Sequence, residues 1–274
     1  MVNIIALVEN TTSSPALQCK HGLCLYIETG KHKILFDLGP DDTFAKNAQK
    51  LGIDLSQIDT VIISHGHKDH GGGLKTFMNL NSKAKIYIRK AAFDPHYIKL
   101  LKIPFPVSLD KRLSGSERFV FTDDSQVIDD ELAVFSNVKP RAFHSSSNDV
   151  LFAKTAHGLT RDCFDHEQNL ILTSGSQRIL ISGCSHSGIV NIQNEAERIA
   201  GSKMSYVIGG FHLFNPPTNQ SESKELIDRI AGALSQNQTV YYTCHCTGLK
   251  VYEQMKTTLN DNLHYLSTGA QLSV

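Results

Sequence analysis

The order of apolar and polar positions predicts strands alternating with helices. Short apolar runs rich in β-branched residues are typical of strands covered on both faces. These runs are IIALV (4–8), LCLYIET (23–29), HKILFDLG (32–39), TVIIS (60–64), AKIYIR (84–89), QRILISG (177–183), SYVIGG (205–210) and TVYYTC (239–244). The second and third runs surround a glycine and predict a hairpin.

Segments with helical periodicity lie between the predicted strands. In the first of them, Phe44, Ala48 and Leu51 share one face, and Gly52 suits the left-handed position after a helix end. The predicted helices are DDTFAKNAQKLG (41–52), LKTFMNL (74–80), NIQNEAERIAG (191–201), SKELIDRIAGAL (223–234) and VYEQMKTTL (251–259). This alternation indicates an α/β architecture.

The composition is that of an ordinary globular chain of 274 residues, with 41% hydrophobic and 20% charged residues. Its 27 basic side chains balance its 27 acidic ones, so we expect no nucleic-acid partner and no attraction to an anionic membrane. No apolar run approaches the roughly 18–20 residues of a membrane span, and the first strand is too short for a signal-peptide core. We therefore expect a cytoplasmic protein with six reduced cysteines.

The stretch SHGHKDHGGG (64–73) follows directly on the TVIIS strand. His65 and His67 are separated by one residue, so their imidazoles can point the same way and bind one metal ion. Asp69 and His70, in a tighter turn, can serve a second ion nearby. The glycines among these residues leave room for the ions. The stretch predicts a metal site at the end of a buried strand.

Three later strands also end on a histidine. His186 follows QRILISG, His212 lies in GGFHLF after SYVIGG, and His245 follows TVYYTC. Because the carboxyl ends of parallel strands carry the chemistry in such folds, we expect these histidines to lie near the 64–73 loop.

The motif SHGHKDHGGG after TVII resembles the metal-binding signature of the metallo-β-lactamase superfamily. ILFDLG resembles that superfamily's strand-end aspartate, here Asp37, and GCSHSGIVNI, GGFHLF and HCTG are similar to the branch named for 7,8-dihydropterin-6-methyl-4-(β-D-ribofuranosyl)aminobenzene 5′-phosphate synthase. The resemblance covers nearly the whole chain. It implies a single domain over 1–274, built as a four-layer αβ/βα sandwich of two mixed β-sheets flanked by helices.

The resemblance also implies two divalent metal ions, zinc foremost, with manganese and iron as alternatives. The expected metal ligands are His65, His67 and His186 for the first ion and Asp69, His70 and His245 for the second. Asp37 would orient the histidine loop without binding metal.

Two positions depart from the superfamily pattern. Cys184 stands where most members place a bridging aspartate, and its role is left open. His166, in FDHEQNL, competes with His186 as the third ligand of the first ion. Cys244 and Cys246 flank His245, and we expect both thiols to pack against the core.

Two ions sharing a water lower its pKa and supply hydroxide, so the expected reaction is hydrolysis. Asp69 and His212 are the candidate catalytic residues, His212 to orient substrate or protonate the leaving group, although packing at a strand end would also explain this histidine. Between 83 and 118 the chain has nine basic residues and three acidic ones. This excess fits a small anionic substrate, such as a phosphorylated pterin- or nucleotide-like compound. A solvated basic surface would explain it equally well.

A loop-rich insertion around 93–125, marked by prolines and weak periodicity, is expected beside the site. Two alternatives to a small-molecule metallohydrolase or synthase stay open at this stage. One is a nuclease or phosphodiesterase. The other is a non-catalytic binding or sensor protein that needs metal, in which loss of the carboxylate bridge has abolished turnover.

Overall fold

Two seven-stranded sheets dominate the structure, a computed structural model that describes residues 1–274. The twenty strands, in chain order, are β1 (Asn3–Val8), β2 (Cys24–Glu28), β3 (Lys33–Phe36), β4 (Thr60–Ile62), β5 (Lys85–Ile88), β6 (His96–Leu100), β7 (Ile103–Pro106), β8 (Phe119–Phe121), β9 (Ser125–Val127), β10 (Leu132–Ser136), β11 (Leu151–Thr155), β12 (Gly158–Arg161), β13 (Gln168–Ser174), β14 (Gln177–Ile181), β15 (Tyr206–Gly209), β16 (Phe214–Asn215), β17 (Gln220–Ser221), β18 (Val240–Thr243), β19 (Leu263–Tyr265) and β20 (Gln271–Ser273). The α-helices are α1 (Thr43–Lys50), α2 (Lys68–Gly71), α3 (Leu74–Leu80), α4 (Ile189–Ala200), α5 (Lys224–Leu234) and α6 (Leu249–Leu259).

Both large sheets are mixed. The first has the order β20-β1-β2-β3-β4-β5-β8, and the second has the order β19-β18-β15-β14-β13-β10-β9. The predicted hairpin is β2–β3, which pairs antiparallel. In each sheet one half is parallel: β3, β4, β5 and β8 in the first, and β14, β15, β18 and β19 in the second.

Side-chain alternation along the strands builds three apolar layers. On β4 and just after it, Val61 and Ile63 face the helices α1 and α3, while Ile62 faces the second sheet. On β15, Val207 packs under the helices α4 to α6, and Ile208 points back between the sheets. Because each sheet is covered on both faces, the architecture is the predicted four-layer sandwich.

The helices show the predicted end signals. Asp41 Oδ1 accepts a hydrogen bond from the Thr43 N–H at the start of α1, and Gly52 has a φ of 71° after its end. None of the helices has the length and apolar character needed to cross a membrane.

The segment 93–125 is more regular than its weak periodicity indicated. Strands β6 and β7 form a hairpin that joins β11 and β12 in a four-stranded sheet, and β8 forms an edge of the first large sheet. Between these strands the segment runs through loops and a 3₁₀ turn (Lys111–Gly115), and its role as an insertion at the substrate site stays a prediction. Two of its prolines, Pro104 and Pro106, lie on the edge strand β7, where an unpaired backbone nitrogen is tolerated.

Candidate metal centre

The carboxyl ends of β4, β14, β15 and β18 converge at one edge of the sandwich. The loop after β4 and the segments after the other three strands meet there, as the ring contacts of His65 with His186, His70 with His245 and His186 with His212 show. The structure brings together all the predicted metal ligands, namely His65, His67, Asp69, His70, His186 and His245. The five histidines among them are buried.

Three histidines form a compact first group. The ring centroids of His65 and His67 are 4.6 Å apart, and the ring of His186 lies 4.9 Å and 5.1 Å from them. The Nε2 atom of each ring is buried and has no hydrogen-bond partner. Buried polar atoms without partners are rare in folded proteins, and each calls for an explanation.

The opposite ring nitrogens show what these Nε2 atoms can do. Ser64 Oγ donates to Asp37, so at 2.8 Å it accepts the proton of His65 Nδ1. The Asn148 Oδ1 atom accepts from His186 Nδ1 at 2.9 Å. The Nε2 atoms of His65 and His186 therefore each carry a free lone pair, which is the arrangement a metal-binding histidine requires.

Electrostatics also favours neutral rings in this group. Burial lowers the pKa of His65 and His186 well below its ordinary value, and neighbouring histidines lower it further. The pKa of His67 is lowered by burial and by His166. Neutral imidazole is the form that binds metal ions, so the residues present fit a divalent cation.

A second group surrounds Asp69. The His70 Nε2 and His245 Nε2 atoms are 3.1 Å apart, and Asp69 Oδ2 lies 3.3 Å from His245 Nε2. Although burial acts to raise it, the charge of His70 and hydrogen bonds from His21 and His245 hold the pKa of Asp69 well below its usual range. A carboxylate and two histidine nitrogens provide a second set of metal donors.

Asp37 lies behind both groups, as the sequence predicted for an orienting residue. It is fully buried and accepts hydrogen bonds from the Ser64 N–H at 2.7 Å, the Ser64 hydroxyl at 2.7 Å and His70 Nδ1 at 2.6 Å. Burial opposes protonation of His70, but the charges of Asp37 and Asp69 raise its pKa overall.

His166 lies near the first group but is engaged elsewhere. Its Nδ1 accepts from the Gly66 N–H at 2.9 Å, and its Nε2 faces Asp162 Oδ2 at 3.2 Å. His96 Nδ1 binds the same oxygen at 2.9 Å. Because both of its ring nitrogens are hydrogen-bonded, His166 supports the loop. His186, by contrast, has an unpartnered Nε2 atom whose lone pair can bind a metal ion.

Cys184 and Cys246 lie beside the histidines. Cys184 Sγ is 3.2 Å from His70 Nε2, and burial raises the pKa of this thiol. Cys244 packs in the core between the sheets, as expected. The same expectation was wrong for Cys246, because a short 3₁₀ turn from His245 to Thr247 replaces the extended backbone assumed from the strand pattern. Its Sγ accepts the N–H of His212.

His212 lies at the rim of the first group. Its ring centroid is 4.2 Å from that of His186, and neither of its buried ring nitrogens has a partner. Its φ of 51° places it in the left-handed region. A packed strand-end histidine would satisfy its nitrogens, so this geometry favours a ring that interacts with a bound molecule.

Several residues that support the site were not identified from the sequence. His21 Nε2 lies 3.2 Å from Asp69 Oδ2, and Asn10 Oδ1 lies 2.8 Å from His245 Nδ1. Buried Glu9 accepts the His245 N–H, and buried Glu167 accepts the His186 N–H. These residues come from loops without a motif, and only the tertiary fold brings them to the site.

Four of the nine basic residues between 83 and 118 are engaged with the protein itself. Arg89 donates to the carbonyls of Asp165 and Thr122. The remaining engaged side chains are Arg118 on the Ala84 and Asn81 carbonyls, Arg112 on Asp110, and Lys99 over the Phe152 ring. Their count in the sequence therefore overstates the positive charge available to a substrate.

A sandwich of two mixed sheets flanked by helices, with a histidine-rich candidate metal site at the strand ends, is the architecture of a metallo-β-lactamase fold. Residues 17–230 match the Metallo-beta-lactamase superfamily, and the chain belongs to it. This membership confirms the resemblance noted in the sequence.

Relatives over nearly the full length support the narrower likeness. The chain is 26% identical, over 91% of its length and 88% of the relative's, to the 7,8-dihydropterin-6-methyl-4-(beta-D-ribofuranosyl)-aminobenzene-5′-phosphate synthase of Methanocaldococcus jannaschii. An uncharacterized protein of that organism is also 26% identical, over 94% and 95% of the two chains. The crystal structure of Tm1679, described as a metal-dependent hydrolase of the beta-lactamase superfamily, shares 27% identity and a TM-score of 0.83 over 100% and 99% of the two chains.

Proposed function

We propose that the protein is a dinuclear metal-dependent hydrolase, or a related synthase, acting on a small anionic compound. In this proposal His65, His67 and His186 hold one divalent ion, and Asp69, His70 and His245 hold the other. The observation that carries the proposal is the three buried Nε2 atoms without partners in the first group. Zinc is the proposed metal, with manganese and iron as alternatives.

The ions, when bound, would polarise the bond under attack and lower the pKa of a water toward neutrality. The protein's own residues orient and protect this chemistry. Asp37 fixes the ring of His70, while Ser64 and Asn148 fix those of His65 and His186. His212, with both ring nitrogens free, can donate a proton to a leaving group or hold the substrate.

The proposed substrate class rests on chemistry near the site. The side chain of Asp69 is 24% exposed and that of His21 is 47% exposed, so the second group forms the open side of the site. Lys68, between His67 and Asp69, is also exposed. A phosphorylated pterin- or nucleotide-like compound fits an exposed cation beside metal ions, and the M. jannaschii relative is named for making a 5′-phosphate. The cytoplasm stays our proposed location.

Metal analysis of the purified protein, followed by a panel of phosphomonoesters, phosphodiesters and lactones, tests the proposal. We expect about two ions per chain in the wild type, and loss of both metal and turnover in His67→Ala. His157→Ala, an exposed turn residue, is the matched control and should keep both. At most one ion per chain under metal-replete conditions would overturn the dinuclear assignment. Cleavage of RNA in preference to all small compounds would favour the nuclease alternative.

A further inference from the structure

We propose that the thiolate of Cys184 is a ligand shared by the two metal ions. This inference rests on the proposed function, since it assigns a bridging donor to the same site. It gives Cys184 a role that the fold alone does not require.

The position of the Cys184 sulfur carries the inference. Its Sγ lies within 4.8 Å of ring nitrogens of His65 and His186. It also lies within 4.8 Å of ring nitrogens of His70 and His245. The first pair belongs to one proposed metal group and the second pair to the other. Cys184 therefore lies between the two groups, where one donor can reach both ions.

The neighbouring histidines supply independent support. The Nε2 atoms of His65 and His186 are buried and unpartnered, and one ring nitrogen of each histidine lies within 4.8 Å of the sulfur. Two free lone pairs beside a buried thiol are what a cation site requires.

Comparison with the other buried cysteines argues against simple packing. Cys24 lies in the apolar layer under α1 and α3, and Cys244 lies in the layer between the sheets. Cys184 belongs to none of the three apolar layers, although it is 4% exposed. Its neighbours include ring nitrogens of several histidines as well as the Cys246 sulfur, and polar nitrogens make poor packing partners for a small hydrophobic side chain.

The chemistry of thiolate narrows the choice of metal. On binding, the Cys184 S–H bond breaks, its proton goes to solvent, and the sulfur electron pair forms the bond to the ion. Thiolate is a soft ligand that prefers zinc, iron or cobalt over manganese or magnesium. A sulfur bridge would therefore make this site selective for the softer ions.

Cobalt substitution of the full-length protein tests the inference. We expect two Co²⁺ per chain and a thiolate-to-cobalt charge-transfer band in the near ultraviolet. Cys184→Asp, whose two carboxylate oxygens can still reach both ions, should keep two Co²⁺ and lose the band. Cys184→Asp should also lower the ratio of zinc affinity to manganese affinity by more than 10-fold. Loss of a residue that only supports a ligand changes metal affinity by roughly 10-fold. Cys24→Ala is the matched control and should retain the band.

The outcomes separate the two proposals. Two Co²⁺ without the band in the wild type, or a band that survives in Cys184→Asp, would overturn the thiolate bridge and leave the dinuclear site standing. Failure of the wild type to bind two Co²⁺ would overturn both. Should Cys184→Asp fail to fold, Cys184→Ser replaces it, with the same loss of the band expected.

Discussion

Four residues that follow the site-bearing strands share an unusual backbone conformation. Asp37, Ser185, His212 and His245 have φ values of 59°, 60°, 51° and 51°. A left-handed conformation costs a residue with a side chain roughly 1–2 kcal/mol. Such strain persists where the surrounding structure compensates for it, and it clusters at functional sites. At this edge of the sandwich, the left-handed conformation turns the side chains of Asp37, His212 and His245 toward the two groups of proposed metal ligands.

Asp37→Asn tests the orienting role of the carboxylate. Asparagine tolerates the left-handed backbone, so the fold should survive, but an amide nitrogen in place of Asp37 Oδ2 can accept neither the hydrogen bond of the Ser64 hydroxyl nor that of His70 Nδ1. We expect metal affinity or activity to fall by roughly 10- to 100-fold, measured by competition with a chelating dye. Asp54→Asn is the control, because it makes the same change at an exposed turn cap where the amide oxygen can still accept the Ser56 N–H. Unchanged affinity and activity would contradict the role.

His212→Ala distinguishes catalysis from metal binding and from packing. We expect both metals to be retained and turnover to fall by about 100-fold or more, the usual scale for general acid–base catalysis. Metal content and kcat should be measured on the same preparation, with His157→Ala as the reference. Loss of one metal would make His212 a ligand. Full activity would leave only the packing explanation.

At the scale of elements, the loop 64–73 is positioned by close contacts beneath it. A Cβ atom on Gly66 would lie 2.5 Å from the Ala92 carbonyl oxygen and 2.9 Å from His96 Nε2. The turn that contains Ala92 thus presses against the backbone between His65 and His67. This contact explains why the motif needs glycine between its first two histidines.

Gly66→Ala should displace the loop and separate the rings of the first group. Overpacking of this kind costs about 1–3 kcal/mol, so we expect a lower denaturant midpoint and reduced metal content. Gly115→Ala is the matched control, because nothing lies within 4 Å of its added Cβ. Wild-type metal content in Gly66→Ala would show that the loop tolerates the shift.

Eight of the fourteen strands in the two large sheets, and the five longer helices, could be predicted because their apolar periodicity is strong. The strands β8, β9, β10, β13, β19 and β20 were missed. The histidine loop was also predictable, since spacing alone brings His65 and His67 together. The partners that hold the rings, such as Asn148 and Glu9, come from distant loops whose sequence carries no local signal. The turn at Cys246 was missed for a related reason, because its conformation depends on packing rather than on propensity.

At the scale of the whole molecule, a partly buried contact joins the two sheets outside the site. His32, in the β2–β3 turn, binds Asp59 at 2.9 Å and Asp129 at 2.7 Å. Asp59 precedes β4 of the first sheet, and Asp129 precedes β10 of the second. Burial acts to lower the pKa of His32, but hydrogen bonds and charges from both carboxylates raise it overall.

This contact predicts a pH dependence of stability. Because the pKa is raised in the folded state, the contribution of His32 is fully present below its unfolded pKa of about 6.5 and is lost as pH rises through the folded value. His32→Gln should therefore destabilise the protein more at pH 6 than at pH 9, as measured by urea unfolding. His157→Gln provides the baseline. An equal effect at both pH values would contradict the charged contact.

The joining of the two sheets at the metal groups has a consequence for the lifetime of the protein. His70 and His245 are 175 positions apart in the chain, yet their Nε2 atoms are 3.1 Å apart. An ion held by both histidines would act as a crosslink that closes a very long loop. Closing a long loop lowers the conformational entropy of the unfolded chain more than closing a short one, and so favours the folded state. The rate of unfolding, and with it proteolytic turnover, would then follow the rate of ion release. Metal supply in the cell would set how much of the protein survives as well as how much is active.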